Sequence, residues 1–115
     1  MSAYALARLF NVTPGPSIVE YLKRIDATLQ TFGGYFIIHG AKPETVEGVW
    51  TGDLIVIAFP DMMAARAWYG SPEYRAILPL RTNNADGEVI LIDGVDRDHR
   101  ATDILPPPMV LTSVP

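Results

Sequence analysis

The run Leu54-Ile55-Val56-Ile57-Ala58-Phe59 is apolar at every position, and that lack of alternation limits the fold more than any other feature of the chain. Successive side chains of a strand point to opposite faces, so a sheet with one solvated face alternates apolar and polar residues. A strand without alternation must be covered on both sides. Tyr35-Phe36-Ile37-Ile38 and Val89-Ile90-Leu91-Ile92 repeat the pattern, and Ala3 to Val12 is strand-compatible with no turn former before Thr13. With 115 residues, 49% of them hydrophobic, the chain supports one core and has no room for a second domain. It contains no cysteine, which removes disulfides, thiolate nucleophiles, iron-sulfur clusters and zinc-thiolate sites.

Between these runs the period changes. After Pro14 and Pro16, residues Ile18, Tyr21, Leu22, Ile25, Leu29 and Phe32 recur at helical spacing and predict an amphipathic helix, ended by Gly33 in the left-handed conformation. Val46 to Trp50 reads as a further strand segment before the turn at Thr51-Gly52-Asp53. Asp61 caps a short helix over Met62 to Tyr69, and Ser71-Pro72-Glu73 opens another helical turn that Pro79 should stop. The Ser71 hydroxyl is therefore a cap rather than a nucleophile, and no Gly-x-Ser-x-Gly elbow surrounds it.

Strand, helix, strand, strand, helix, strand is the split βαββαβ order of an α+β, ferredoxin-like domain with a four-stranded antiparallel sheet and both helices on one face. The other face then has no cover within the chain. At about 25 cal/mol per Å², several hundred Å² of apolar sheet is strongly driven to find some. A second copy is the simplest source, which predicts a homodimer whose sheets pack face to face as a dimeric α+β barrel.

Nine basic against thirteen acidic residues, unclustered, give a net charge of -4 and leave no electrostatic footprint for nucleic acid or for an anionic membrane. No apolar stretch approaches the roughly 20 residues of a spanning helix, and no basic segment precedes an apolar run at the start. The expected location is cytoplasmic. Residues 1–94 form the predicted domain and 95–115 an extended, Pro-rich tail, in which Asp96, Asp98, His99 and Asp103 read as a solvated charge run rather than a metal site. Pro106-Pro107-Pro108 and Met109-Val110-Leu111 could lie along the edge of a partner's sheet.

The candidate chemistry is sparse. His39, at a strand end on the face of Tyr35 and Ile37, is a possible general base, metal ligand or hydrogen-bonded structural histidine. Arg8 lies inside strand one on the face of Tyr4, Leu6 and Phe10, where it either holds a substrate carboxylate or pairs with Asp93 or Glu47. These two are the catalytic candidates. Tyr35, Glu47, Trp50, Trp68, Tyr69 and Tyr74 could shape a pocket for a flat organic ligand, although core packing accounts for the aromatics as well. Arg81 either closes such a pocket or meets an acid of the partner.

Gly33-Gly34-Tyr35 with Gly40, Glu47-Gly48-Val49-Trp50, Phe59-Pro60, Ala67-Trp68-Tyr69-Gly70-Ser71-Pro72-Glu73-Tyr74, Arg81 and Asp93-Gly94 together resemble a bacterial domain-of-unknown-function family of the dimeric α+β barrel superfamily. The chain departs from the family pattern at His39, often arginine, and at Ala58, often an acid. The resemblance implies the ferredoxin-like fold and a dimer. The superfamily is similar in architecture to cofactor-free monooxygenases, muconolactone-type isomerases and haem-binding enzymes, an analogy of fold alone. Two readings remain open: a cofactor-independent oxygenase or isomerase acting on a hydrophobic or aromatic metabolite, and a non-catalytic dimeric binding or structural module. No cofactor is expected, haem entering only through the superfamily analogy.

Overall fold

The computed structural model describes residues 2–106. Four strands, β1 (Ala3–Phe10), β2 (Tyr35–Ile38), β3 (Asp53–Phe59) and β4 (Asp86–Asp93), form one antiparallel sheet in the order β2-β3-β1-β4. Helices α1 (Pro16–Gln30), α2 (Met62–Tyr69) and α3 (Pro72–Thr82) supply the cover of one face, giving the ferredoxin-like α+β arrangement. In α1 the residues facing the core are Tyr21, Ile25, Thr28 and Leu29, a spacing of three and four. Pro16 stands at its start, and Gly33 leaves it with φ 69°. The Asp61 carboxylate accepts the Ala64 backbone N–H at 2.8 Å to start α2, and the Ser71 hydroxyl accepts that of Tyr74 at 3.2 Å to start α3.

Four local expectations need correction. Strand β1 ends at Phe10 rather than Val12, because Asn11 turns into the left-handed region at φ 52°. Val46 to Trp50 forms no strand. Positive φ at Gly48 and Gly52 breaks its extended path, and both edges of β3 are already occupied by β1 and β2. Helix α3 runs through Pro79 to Thr82. The missing N–H of Pro79 frees only the Arg75 carbonyl, and both residues are exposed, where water can satisfy it. The tail is not extended throughout, since Ala101–Ile104 makes a 3-10 turn. Residues 107–115, including the expected edge segment Met109-Val110-Leu111, lie outside the described part.

The core is centred on Trp68, Tyr74, Phe59, Leu29 and Ile77, the most deeply buried large side chains, all between helices and sheet. Opposite them, the face carrying Tyr4, Leu6, Val56, Ile90 and Ile92 has none of the described helices over it. Tyr35, Ile90 and Ile92 there are 62%, 49% and 48% exposed.

Candidate functional site

Strand β1, central in the sheet, places Ala5 and Ala7 on the helix side with Ile55 and Ile57 of β3 beside them in register. Alanines there are too short to meet α1. The result is a cavity of about 90 Å³ between sheet and helices, floored by these residues and by Leu9 and Val89, and roofed by Ile18, Tyr21, Leu22 and Ile25 of α1. Trp68, Tyr74 and Arg81 close its far side. Val12, Leu22 and His39, all exposed, mark its mouth.

His39 reaches the cavity by a route the sequence does not reveal. Phe36 pairs with Ile57 and Ile38 with Val56, so the register shifts within β2 and Ile37 is the extra residue of a bulge. The bulge reverses the phase of alternation. His39 therefore shares the face of Phe36, not that of Tyr35 and Ile37, and its ring stacks on Phe36 with centroids 4.4 Å apart.

Three polar side chains meet at the inner end. The Tyr21 and Tyr74 hydroxyls are hydrogen-bonded at 2.8 Å, and the Arg81 guanidinium lies 6.0 Å from the centroid of the Tyr21 ring. Burial, reinforced by Tyr74, pushes the Tyr21 phenol far above its ordinary pKa and keeps its proton in place. For Arg81, burial works against the charge, but the Tyr74 and Tyr21 phenols outweigh it and the net shift is upward. Arg81 is only 7% exposed, and among the described residues no carboxylate comes within ion-pair distance of it. The rest of the lining is apolar apart from the Trp68 indole and the His39 imidazole.

Trp68 is fixed by structure. Its indole N–H donates to the Thr28 hydroxyl at 2.9 Å, which donates to the Ile25 carbonyl at 2.6 Å. Of the residues singled out in the sequence, His39, Trp68, Tyr74 and Arg81 thus converge on one cavity. Tyr69 stands behind it, with its ring centroid 5.5 Å from that of Tyr74. Tyr35 is on the uncovered face, and Glu47 and Trp50 are in the exposed loop between β2 and β3.

Arg8 is also on the uncovered face. Its guanidinium donates to the Glu88 carboxylate at 3.2 and 3.3 Å and to the carbonyl and hydroxyl of Thr51 at 3.0 and 3.1 Å. The partner is Glu88 rather than Asp93 or Glu47, because β1 and β4 place Arg8 directly opposite Glu88. Sequence reasoning overlooked Tyr21, Ala5 and Ala7. The available signals were a lone phenol on an otherwise hydrocarbon helix face and a strand with alanine at positions 3, 5 and 7 of one face.

A family model described as a domain of unknown function, DUF1330, matches residues 2–95. The chain belongs to this family. No curated protein matches it. Among solved structures, RPA0582 of Rhodopseudomonas palustris, a protein of unknown function, superposes with a TM-score of 0.63 at 16% identity, over 83% of each chain. A dimeric ferredoxin-like protein of unknown function from Jannaschia sp. gives 0.61 at 12% identity, over 82% of this chain and 100% of that one. SnoaB, a cofactor-independent oxygenase from Streptomyces nogalater, gives 0.56 at 16% identity, over 86% and 98%. These likenesses establish the fold of this DUF1330 chain and stop there.

Among the described residues, no three histidine, aspartate or glutamate side chains gather as a metal site. Near the tail, His99 and Asp103 approach only to 3.7 Å. None of the described helices is long and apolar enough to cross a membrane.

Proposed function

We propose that this DUF1330 protein is a homodimer in which each subunit binds a small hydrophobic metabolite in the cavity between sheet and helices. One observation carries the reading: an apolar cavity, open at His39, with Tyr21, Tyr74 and Arg81 gathered at its inner end, the pattern of sites that orient small ligands. Tyr74 and Trp68 shape its inner end, Arg81 lies beside them, and Tyr69 backs them. The uncovered face supports the dimer, since Tyr35, Ile90 and Ile92 there have no other cover among the described residues. Arg8 belongs to that side of the molecule and Glu47 and Trp50 to the exposed β2–β3 loop, and none of the three lines the cavity.

The catalytic form of this reading is a cofactor-independent oxygenase or isomerase, supported by the likeness in fold to SnoaB. His39 is then the group that moves a proton, at the cavity mouth where imidazole exchanges with solvent. The non-catalytic form, a dimeric binding module, draws on the fact that Trp68 and Ser71 are engaged in hydrogen bonds of the core. Native mass spectrometry of the wild type against Ala7→Leu, which fills the floor, tests the shared claim. The expected result is a dimer in both, with a small molecule retained or taken up from a metabolite extract by the wild type only. Equal uptake by the two proteins, or none by either, contradicts it.

A further inference from the structure

Arg81 is the feature that general ligand binding leaves unexplained. A charged group removed from water is costly unless it is paired. At 7% exposure this one has, among the described residues, no carboxylate beside it but only phenols, which soften the cost without cancelling the charge. The phenols add a donor. Two hydroxyls have two hydrogens, and the 2.8 Å contact between Tyr21 and Tyr74 uses one, so the other can point at a third group.

We propose, building on the cavity reading above, that the ligand is a small monocarboxylic acid whose carboxylate pairs with Arg81 and accepts the spare phenol hydrogen, its apolar body lying over Ala5 and Ala7. A planar carboxylate matches the guanidinium fork and can take two of its N–H groups together. A single negative charge balances the single buried cation. A doubly charged phosphate would leave one charge uncompensated among apolar walls. Size limits the body: an aliphatic cavity of about 150 Å³ accommodates benzene, so about 90 Å³ holds a shorter enclosed group, and a longer tail must leave past Val12 and Leu22.

Calorimetric titration of the full chain with butanoate and hexanoate, each against the matching alcohol, tests this. The wild type should bind each acid about 10-fold or more tighter than its alcohol, the scale of a charge-assisted contact. Arg81→Met, similar in length and neutral, should lose that preference while still binding the alcohols. Arg81→Lys should keep part of it, and Tyr21→Phe should reduce it less than Arg81→Met. If Arg81→Met does not fold, the wild-type comparison and Arg81→Lys still decide. Equal affinity for acids and alcohols overturns the carboxylate assignment and leaves the cavity reading intact. Acid preference unchanged in Arg81→Met, or inorganic phosphate displacing hexanoate at equal concentration, overturns the site. Binding of none of the four probes overturns both.

Discussion

Trp68 shows how a single residue ties the fold together. Its indole fills the space between Phe59 and Tyr74, with centroids 5.4 and 4.1 Å away, and its N–H reaches across to Thr28 on α1. Trp68→Phe removes a buried hydrogen bond and part of a packed ring, and should lower the unfolding free energy by about 2 kcal/mol in urea titration. A loss below about 0.5 kcal/mol would show that the Thr28 contact is slack. Tyr21 makes the second residue-level prediction. The folded protein holds its proton more tightly than the unfolded chain does, chiefly through burial. Stability should be insensitive to this group below about pH 10, where tyrosines of the unfolded chain begin to ionise, and should fall above it by about 1.4 kcal/mol per pH unit. Tyr21→Phe should remove that slope from the alkaline unfolding curve, and an unchanged slope would assign it elsewhere. Arg8 and Arg81 show where reading residues in a sequence reaches its limit. Each is a lone cation among apolar neighbours, but Arg8 finds Glu88, 80 positions away, while Arg81 finds no carboxylate among the described residues. Only the packed chain tells the anchored cation from the free one.

Elements whose ends are set by neighbouring residues were legible. Helix α2 has the bounds expected from Asp61 and Gly70, because a cap acts within one turn. Elements set by distant pairing were not. The β2 bulge depends on how β2 registers with β3, and it alone brings His39 to the cavity. Helix α3 was misjudged for a related reason: a proline ends an isolated helix, but Ile77 and Leu78 before it and Arg81 after it are all buried, and that packing carries the helix through Pro79. The final turn matters for the site because it places Arg81. Pro79→Ala restores the N–H that can bond the Arg75 carbonyl and removes a ring clash, at the cost of a freer unfolded chain. The expected balance is a gain of about 1 kcal/mol, read as a rise in Tm with the acid preference unchanged. A drop in Tm would mean that the proline sets the helix geometry that packing prefers.

At the scale of the molecule, the unalternating strands foretold a sheet apolar on both faces, and the structure has that sheet with helices on one side. The open face follows from patterning because the period of a strand is two whatever its partners are. The cavity does not, because it is a volume left by Ala5 and Ala7 once α1 has docked. Ile90→Glu, midway along the edge strand β4 on the open face, should convert a dimer into a folded monomer by light scattering at micromolar concentration, since a buried unpaired carboxylate costs several kcal/mol in each subunit. A monomeric wild type would place the cover of that face elsewhere.

The central claim is that the space between sheet and helices is where this protein holds its ligand. The most direct test is a heteronuclear NMR titration of the labelled protein with hexanoate. The predicted shifts concentrate at Ala5, Ala7, Val89, the Trp68 indole N–H and the Arg81 side chain, and leave Ile90 and Ile92 on the opposite face unchanged. Shifts confined to the open face, spread evenly over the surface, or absent at millimolar hexanoate would contradict it.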